Sequence, residues 1–161
     1  MSSQPLIITR IFDAPREKVW DAWTNPEMMK KWWGPATYTA PFITIDLRVG
    51  GKYHFCMRGK MAPGGPDQDF WSTGTYREII ENEKLVCTDS FSNEKGEIVS
   101  AEEFGMSGFP LECLVTVTFE DTDDGKTKMT LTHEGIPEGQ MGDMTSQGWQ
   151  SSFDKLEAAL A

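Results

Sequence analysis

The feature that most constrains the fold is a series of alternating runs that ends in a long helical segment. Between residues 42 and 134 apolar and polar residues repeatedly alternate, which is typical of strands with one buried face. The last segment changes to helical spacing, and its apolar stripe consists of Trp149, Phe153, Leu156 and Leu160. Because a strongly twisted sheet curls around a helix, we predict an α+β fold in which a curved antiparallel sheet of about seven strands wraps around this helix.

The remaining elements have recognisable boundaries. The predicted strands are residues 6–12, 42–49, 52–58, 70–80, 84–91, 113–120 and 126–134. Two short helices are predicted after the first strand, at residues 14–23 and 26–33, because Asn25 is a favourable N-cap and Pro26 a favourable first helical residue. Residues 93–112 are predicted to form a long irregular connection, and the final helix is predicted to run to Leu160.

Length and charge limit the classes of function. The 161 residues suit one domain, which we assign to residues 1–161. The net charge of −10 disfavours nucleic acid and anionic membranes as partners. The first ten residues lack a basic region followed by a long apolar stretch, so we expect no secretory signal and a cytoplasmic location. Cys56, Cys87 and Cys113 are widely spaced in apolar runs, which indicates buried thiols in a reducing compartment.

Five stretches of the chain carry a resemblance to a known family. They are residues 12–35, 46–59, 74–79, 130–135 and 148–160, and they include "KVWDAW", "KKWWGP", "GGKYHF" and "TLTHEG". They closely resemble the family named for the activator of the ninety-kilodalton heat-shock protein ATPase, within the SRPBCC superfamily. The resemblance implies the helix-grip, or START-like, fold, with an internal cavity between the sheet and the long helix. Many members of the superfamily bind lipids, polyketides or other apolar small molecules, but the resemblance implies no single function.

The predicted function is binding of an apolar or aromatic small molecule in that cavity, without a cofactor. The alternation along the strands and the stripe on the last helix determine which side chains we expect in its wall. These expected ligand-binding residues are Trp33, Tyr53, Phe55, Trp71, Tyr76, Met129, His133, Met144, Trp149 and Phe153.

Two other functions remain open. A cyclase or dehydratase could use the same cavity, with His133 or a tyrosine transferring a proton. A co-chaperone would instead act through its outer surface, with the heat-shock ATPase as partner. The eukaryotic co-chaperones of the family carry an additional N-terminal client-binding domain, so we expect this role less than ligand binding. A homodimer also remains open.

Motifs for catalysis or metal binding are not found in the sequence. It contains no H-E-x-x-H, P-loop or G-x-G-x-x-G pattern, and its two histidines are far apart, which disfavours a zinc site. Asp46 and Glu78 could reach the cavity by alternation, but we expect them to form ion pairs with arginines such as Arg48, Arg58 or Arg77, because unpaired buried carboxylates are costly. We therefore assign no catalytic and no metal-binding residue.

The adjacent tryptophans Trp32 and Trp33 are expected to have different roles. Neighbours on a helix point about 100° apart, so the two rings cannot share one environment. Trp33 is the last residue before Gly34 and Pro35 turn the chain toward the sheet, which favours a position at the cavity mouth. Trp32 is then expected to pack against the first helix.

Overall fold

A single curved sheet dominates the computed structural model, which describes residues 5–60, 64–106 and 108–161. Its strands are β1 (Leu6–Phe12), β2 (Thr39–Ile45), β3 (Lys52–Gly59), β4 (Gln68–Ile80), β5 (Lys84–Ser92), β6 (Cys113–Asp121) and β7 (Thr127–Glu134). All neighbouring strands are antiparallel, in the order β1-β7-β6-β5-β4-β3-β2, so β1 and β2 are the edges.

Three α-helices accompany the sheet within the described residues: α1 (Arg16–Thr24), α2 (Pro26–Met29) and α3 (Gln140–Leu160). The C-terminal half of α3 buries Phe153 and Leu156 completely, and the Phe153 ring contacts Phe12 of β1 edge-on. The predicted α+β class and the helix-grip arrangement are therefore confirmed, including the two short helices after the first strand.

The second helix is shorter than the sequence predicts. Asn25 caps it as expected, since its side chain accepts a hydrogen bond of 3.0 Å from the Glu27 amide. The helix ends at Met29 rather than at Trp33, and tighter turns follow, in which the Trp32 amide donates to the Met29 carbonyl. In this position the Trp32 indole donates to the Ala22 carbonyl at 2.9 Å, so Trp32 closes against α1 as expected.

The core fills one end of the space between sheet and helix. The Trp23 ring lies 4.8 Å from Trp32 and 6.2 Å from Phe153, and its indole nitrogen lies 3.2 Å from the Met129 sulfur. Trp32, Met129 and Phe153 are completely buried. Contacts between several aromatic rings in one cluster stabilise a core beyond their buried area.

Gly74 of β4 is required because neighbouring atoms approach its backbone closely, and not because it lies in a turn. A Cβ atom at Gly74 of β4 would overlap the Thr88 carbonyl and the ring of Tyr53. The absent side chain therefore allows the Tyr53 ring to lie against β4. This contact places the Tyr53 hydroxyl beside β5, where it takes part in the site described below.

The connection between β5 and β6 is irregular, as predicted, apart from a 3₁₀ helix at Ala101–Phe104. Three parts of the sequence on which expectations were based lie outside the described residues: Met1–Gln4, Met61–Pro63 and Ser107. In the described part of the chain, no helix combines the length and apolar character needed to cross a membrane.

Candidate functional site

A cavity of about 280 Å³ lies between the concave face of the sheet and the N-terminal half of α3. Four parts of the chain form its wall: the segment after α2, the inner faces of β3 to β7, the connection around Phe109, and α3. Apolar side chains dominate this wall and include Trp33, Tyr38, Met57, Phe70, Phe91, Met106, Phe109, Ile136, Met141, Met144 and Trp149. Pockets of this kind, apolar with few polar groups, are typical of small-molecule sites.

The segment from Gly34 to Tyr38 is held against α3 by one lysine. The Lys155 ammonium donates to the carbonyls of Gly34, Pro35 and Tyr38 at 2.9, 3.1 and 2.9 Å. Burial lowers the pKa of Lys155 from its ordinary value. The Ala36 amide also donates to the Ser151 hydroxyl at 2.7 Å. These bonds position one side of the cavity mouth.

A smaller void of about 20 Å³ lies beside the main cavity, and three residues, Trp33, Asp89 and Trp149, line both spaces. The Trp33 ring contacts Trp149 edge-on at 5.6 Å and Phe55 at 4.9 Å. The two tryptophans therefore form a partition between the cavity and this void.

Polar side chains converge where the cavity meets the small void. The Tyr53 hydroxyl lies 3.0 Å from Asp89 Oδ1 and 2.9 Å from the Thr88 carbonyl, and His133 Nε2 lies 3.3 Å from Asp89 Oδ2. The Trp149 indole donates to His133 Nδ1 at 3.1 Å. We call Tyr53, Asp89, His133 and Trp149 the polar cluster.

The Trp149 contact determines the form of the His133 ring. An indole nitrogen can only donate, so His133 Nδ1 is the acceptor and the ring proton is on Nε2. His133 is only 5% exposed, and Nε2 makes no aligned hydrogen bond although Asp89 Oδ2 is within ion-pair distance. The distance to Asp89 Oδ2 would allow a hydrogen bond, but the Nε2–H does not point at this oxygen, so the donor is unsatisfied.

The Tyr53 hydroxyl and the Cys113 thiol stay protonated at neutral pH. Burial, followed by the nearby charge of Asp89, raises the pKa of Tyr53 well above its ordinary value, so the hydroxyl remains a donor. The same two causes, in the same order, raise the pKa of the Cys113 thiol to about 12. A thiol in this state is a poor nucleophile, which argues against covalent catalysis by Cys113.

The structure divides the expected wall residues into three groups. Trp33, Trp71, His133, Met144 and Trp149 line the main cavity. Tyr53, Phe55 and Tyr76 line the small void, together with Trp33 and Trp149. Met129 and Phe153 line neither space and are completely buried. Alternation and helical spacing placed these two on the inner side correctly, but Trp23 contacts Met129, and Phe12, Trp23 and Trp32 surround Phe153, so both are part of the core.

Trp71 lines the cavity as expected, but its ring packs on the opposite face of β4. Its ring stacks on His54 at 4.8 Å and contacts Phe42 at 5.5 Å, and neither of these partners lines the cavity. In β4 the residues that share a face with Tyr76 are Phe70, Ser72 and Gly74, so Trp71 has the opposite phase.

Asp89 is the polar residue of the candidate site that sequence reasoning missed. The signal was present, because Leu85, Cys87, Asp89 and Phe91 alternate along β5 and share its inner face. Met106, Phe109 and Pro110 carried no such signal, since they lie in an irregular connection without periodicity.

The carboxylates that the sequence did single out form ion pairs on the surface. Asp46 pairs with Arg48 at 2.9 Å, as expected, whereas Glu78 pairs with Lys84 at 3.3 Å instead of an arginine. Neither lines the cavity. Within the described ranges, no three His, Cys, Asp or Glu side chains form a group that could hold a metal ion.

The curved sheet, the long C-terminal helix and the cavity between them define a protein of the helix-grip class. More narrowly, the chain belongs to the family described as activator of Hsp90 ATPase homolog 1-like proteins, whose family model matches residues 13–161. No curated protein matches the sequence.

Solved structures show the same fold. A protein from Chromobacterium violaceum is 26% identical, with a TM-score of 0.76 and coverage of 97% of this chain and 96% of that one. A protein from Arthrobacter aurescens is 27% identical, with a TM-score of 0.75 and coverage of 99% and 90%. The AHSA1 protein from Silicibacter pomeroyi is 19% identical, with a TM-score of 0.74 and coverage of 98% and 97%, and this likeness concerns the fold alone.

Proposed function

We propose that this protein binds an apolar, aromatic-containing small molecule in the cavity between its sheet and α3. The observation that carries the proposal is the cavity itself, about 280 Å³ in volume, with a predominantly apolar wall and one polar cluster. Burial of apolar ligand surface supplies the affinity, at about 25 cal/mol per Å², and the polar cluster orients the ligand.

The proposal is tested by filling the cavity from α3. Thr145 lines the cavity, whereas Gln147 is exposed on the same helix and does not. We expect Thr145→Trp to weaken binding of a fluorescent apolar probe by at least about tenfold, a loss of about 1.4 kcal/mol. Gln147→Trp is the matched control and should bind like the wild type. Equal binding by both variants would place the probe outside the cavity and contradict the proposal.

The natural ligand can be sought by native mass spectrometry of protein purified from its own host. A co-purifying small molecule that is absent from the Thr145→Trp variant would support a carrier or sensor role. We place the protein in the cytoplasm as part of this proposal, which the free thiols of Cys56, Cys87 and Cys113 support.

One observation favours a second function, an enzyme of the cyclase or dehydratase kind. His133 Nε2 carries a buried proton without an aligned acceptor, beside the Asp89 carboxylate, and both residues line the cavity. The N–H of a neutral imidazole can donate a hydrogen bond to a bound substrate and stabilise negative charge that develops there. Incubation of the co-purifying molecule with the wild type and with His133→Ala separates the two functions, because a carrier releases it unchanged in both cases. The name of the family model mentions the Hsp90 ATPase, and no contact in the described part of the chain favours that role over ligand binding.

A further inference from the structure

The charge distribution around the cavity indicates the chemical class of the ligand, provided that the proposed binding function is correct. Among the described residues that line the cavity, Asp89 is the only acidic side chain, and no lysine or arginine is present. The cavity therefore contains a carboxylate in an apolar surrounding without a cation in the same wall.

The contacts of Asp89 do not compensate its charge. Tyr53 has one hydroxyl hydrogen, and Asp89 Oδ1 shares it with the Thr88 carbonyl as a second acceptor. His133 is the only basic side chain within 4.0 Å among the described residues, and its ring is neutral because Trp149 donates to Nδ1. The side chain of Asp89 is still 27% exposed, so its carboxylate remains accessible from the cavity.

A lysine at the cavity mouth is committed to other partners. The Lys155 ammonium donates to the carbonyls of Gly34, Pro35 and Tyr38, three residues that line the cavity. Lys155 itself does not line the cavity. Its three donors are used for the position of the cavity mouth and are not directed at Asp89.

A partly desolvated carboxylate without a neighbouring cation favours a ligand that carries a positive charge. An ammonium group offers both the opposite charge and N–H donors to the free lone pairs of Asp89. The rings of Trp33, Phe91 and Trp149 line the same cavity and can contact a cation through their faces. A ligand carboxylate would instead be repelled by Asp89, since two like charges in a poorly solvated site destabilise each other.

We propose that the ligand is a protonated apolar amine whose ammonium group pairs with Asp89 while its apolar body fills the aromatic part of the cavity. Asp89 is then the residue that determines specificity, and the Tyr53 hydroxyl is its aligned side-chain hydrogen-bond partner among the described residues. The sequence pattern alone carried no such assignment.

Three probes with one skeleton test the proposal: 2-(1-naphthyl)ethylamine, 2-(1-naphthyl)ethanol and 1-naphthaleneacetate. At neutral pH these are a cation, a neutral alcohol and an anion, with closely similar apolar bodies. Titration calorimetry of the wild-type chain should show the amine binding best and the carboxylate worst, with at least about a tenfold difference between them. Equal affinities, or strongest binding of the alcohol or the carboxylate, would overturn the proposal.

Two variants locate the preference. Asp89→Asn preserves the shape and should remove most of the difference between amine and carboxylate, whereas Asp123→Asn makes the same charge change in the exposed β6–β7 turn and should leave it intact. A preference that survives in Asp89→Asn, with folding verified by urea unfolding, would also overturn the proposal. If Asp89→Asn fails to fold, the order of the three probes on the wild type decides.

The results distinguish the proposed binding function from the proposed amine ligand. Binding that Thr145→Trp abolishes but that shows no preference for the amine would leave the proposed function standing and refute the amine. Failure of all three probes to bind the wild type would contradict both proposals.

Discussion

The two halves of α3 have different surroundings although one amphipathic pattern runs through both. In the C-terminal half, Phe153 and Leu156 are completely buried against β1 and α1. In the N-terminal half, Met141 and Thr145 face the cavity and Met144 is 43% exposed. The difference lies in what is opposite the helix, so an apolar stripe alone does not distinguish a core from the wall of a binding site.

Trp32 and Trp33 are adjacent in the sequence, but their surroundings differ in the same way. Trp32 is completely buried between Trp23 and Phe153, and its indole donates to a carbonyl of α1. Trp33 is only partly buried and forms a wall of the cavity. The closed end and the open end of the helix-grip therefore meet between these two residues.

The largest effect is expected from breaking the closed end. Phe153→Ala should lower the free energy of unfolding by about 3–5 kcal/mol, because it leaves a void among Phe12, Trp23 and Trp32. Urea unfolding measures the change. Met144→Ala on the open half of the same helix is the control and should cost less than about 1 kcal/mol. Similar losses for both variants would contradict the distinction between the two halves.

The tryptophan pair separates stability from binding. Trp32→Ala should lower the free energy of unfolding by about 3–4 kcal/mol, since it removes a buried ring and its hydrogen bond to Ala22. Trp33→Ala should cost less stability and weaken binding of the naphthyl probe by about 1–3 kcal/mol, the contribution of one aromatic wall. Urea unfolding and probe titration of both variants test this, and wild-type binding by Trp33→Ala would remove Trp33 from the site.

The cavity mouth can be loosened without touching its wall. Lys155→Met keeps the length of the side chain but removes three hydrogen bonds to the segment from Gly34 to Tyr38. We expect a loss of about 2 kcal/mol in stability and weaker probe binding, because hydrogen bonds to charged groups are the stronger ones. Lys18→Met, at an exposed position of α1, is the control. If Lys155→Met behaves like Lys18→Met, the segment is held by packing alone.

The smallest effect is expected at the polar cluster. Tyr53→Phe should cost about 1 kcal/mol of stability, as is usual for one neutral hydrogen bond. It also removes the donor beside Asp89, so the amine probe should bind at least as tightly as to the wild type. Tyr38→Phe, whose hydroxyl donates to the Lys60 carbonyl at an exposed position, is the control for stability. Clearly weaker amine binding by Tyr53→Phe than by the wild type would show that the hydroxyl contacts the ligand itself.

The sequence predicts the fold more completely than the candidate site. The strand β1 has the predicted bounds, and β3 to β7 differ by a few residues at most, because alternation is a local property that each strand shows by itself. α2 ends four residues earlier than predicted. The reason is that the Trp32 indole donates to the Ala22 carbonyl of α1, a partner outside α2 that local helix propensity does not include. Of the expected wall residues, Met129 and Phe153 became core.

Local spacing determined the order of strands and helices, the inner face of most strands, and the inward position of His133 on β7. Only the tertiary structure decided where that inner face meets α3 directly and where a cavity remains. It also decided that Asp89 on β5, Tyr53 on β3 and His133 on β7 come together where the cavity meets the small void. Periodicity predicts which side of a strand or helix a residue occupies. The distance from that residue to the opposite wall depends instead on how the curved sheet, the irregular connection and α3 pack together.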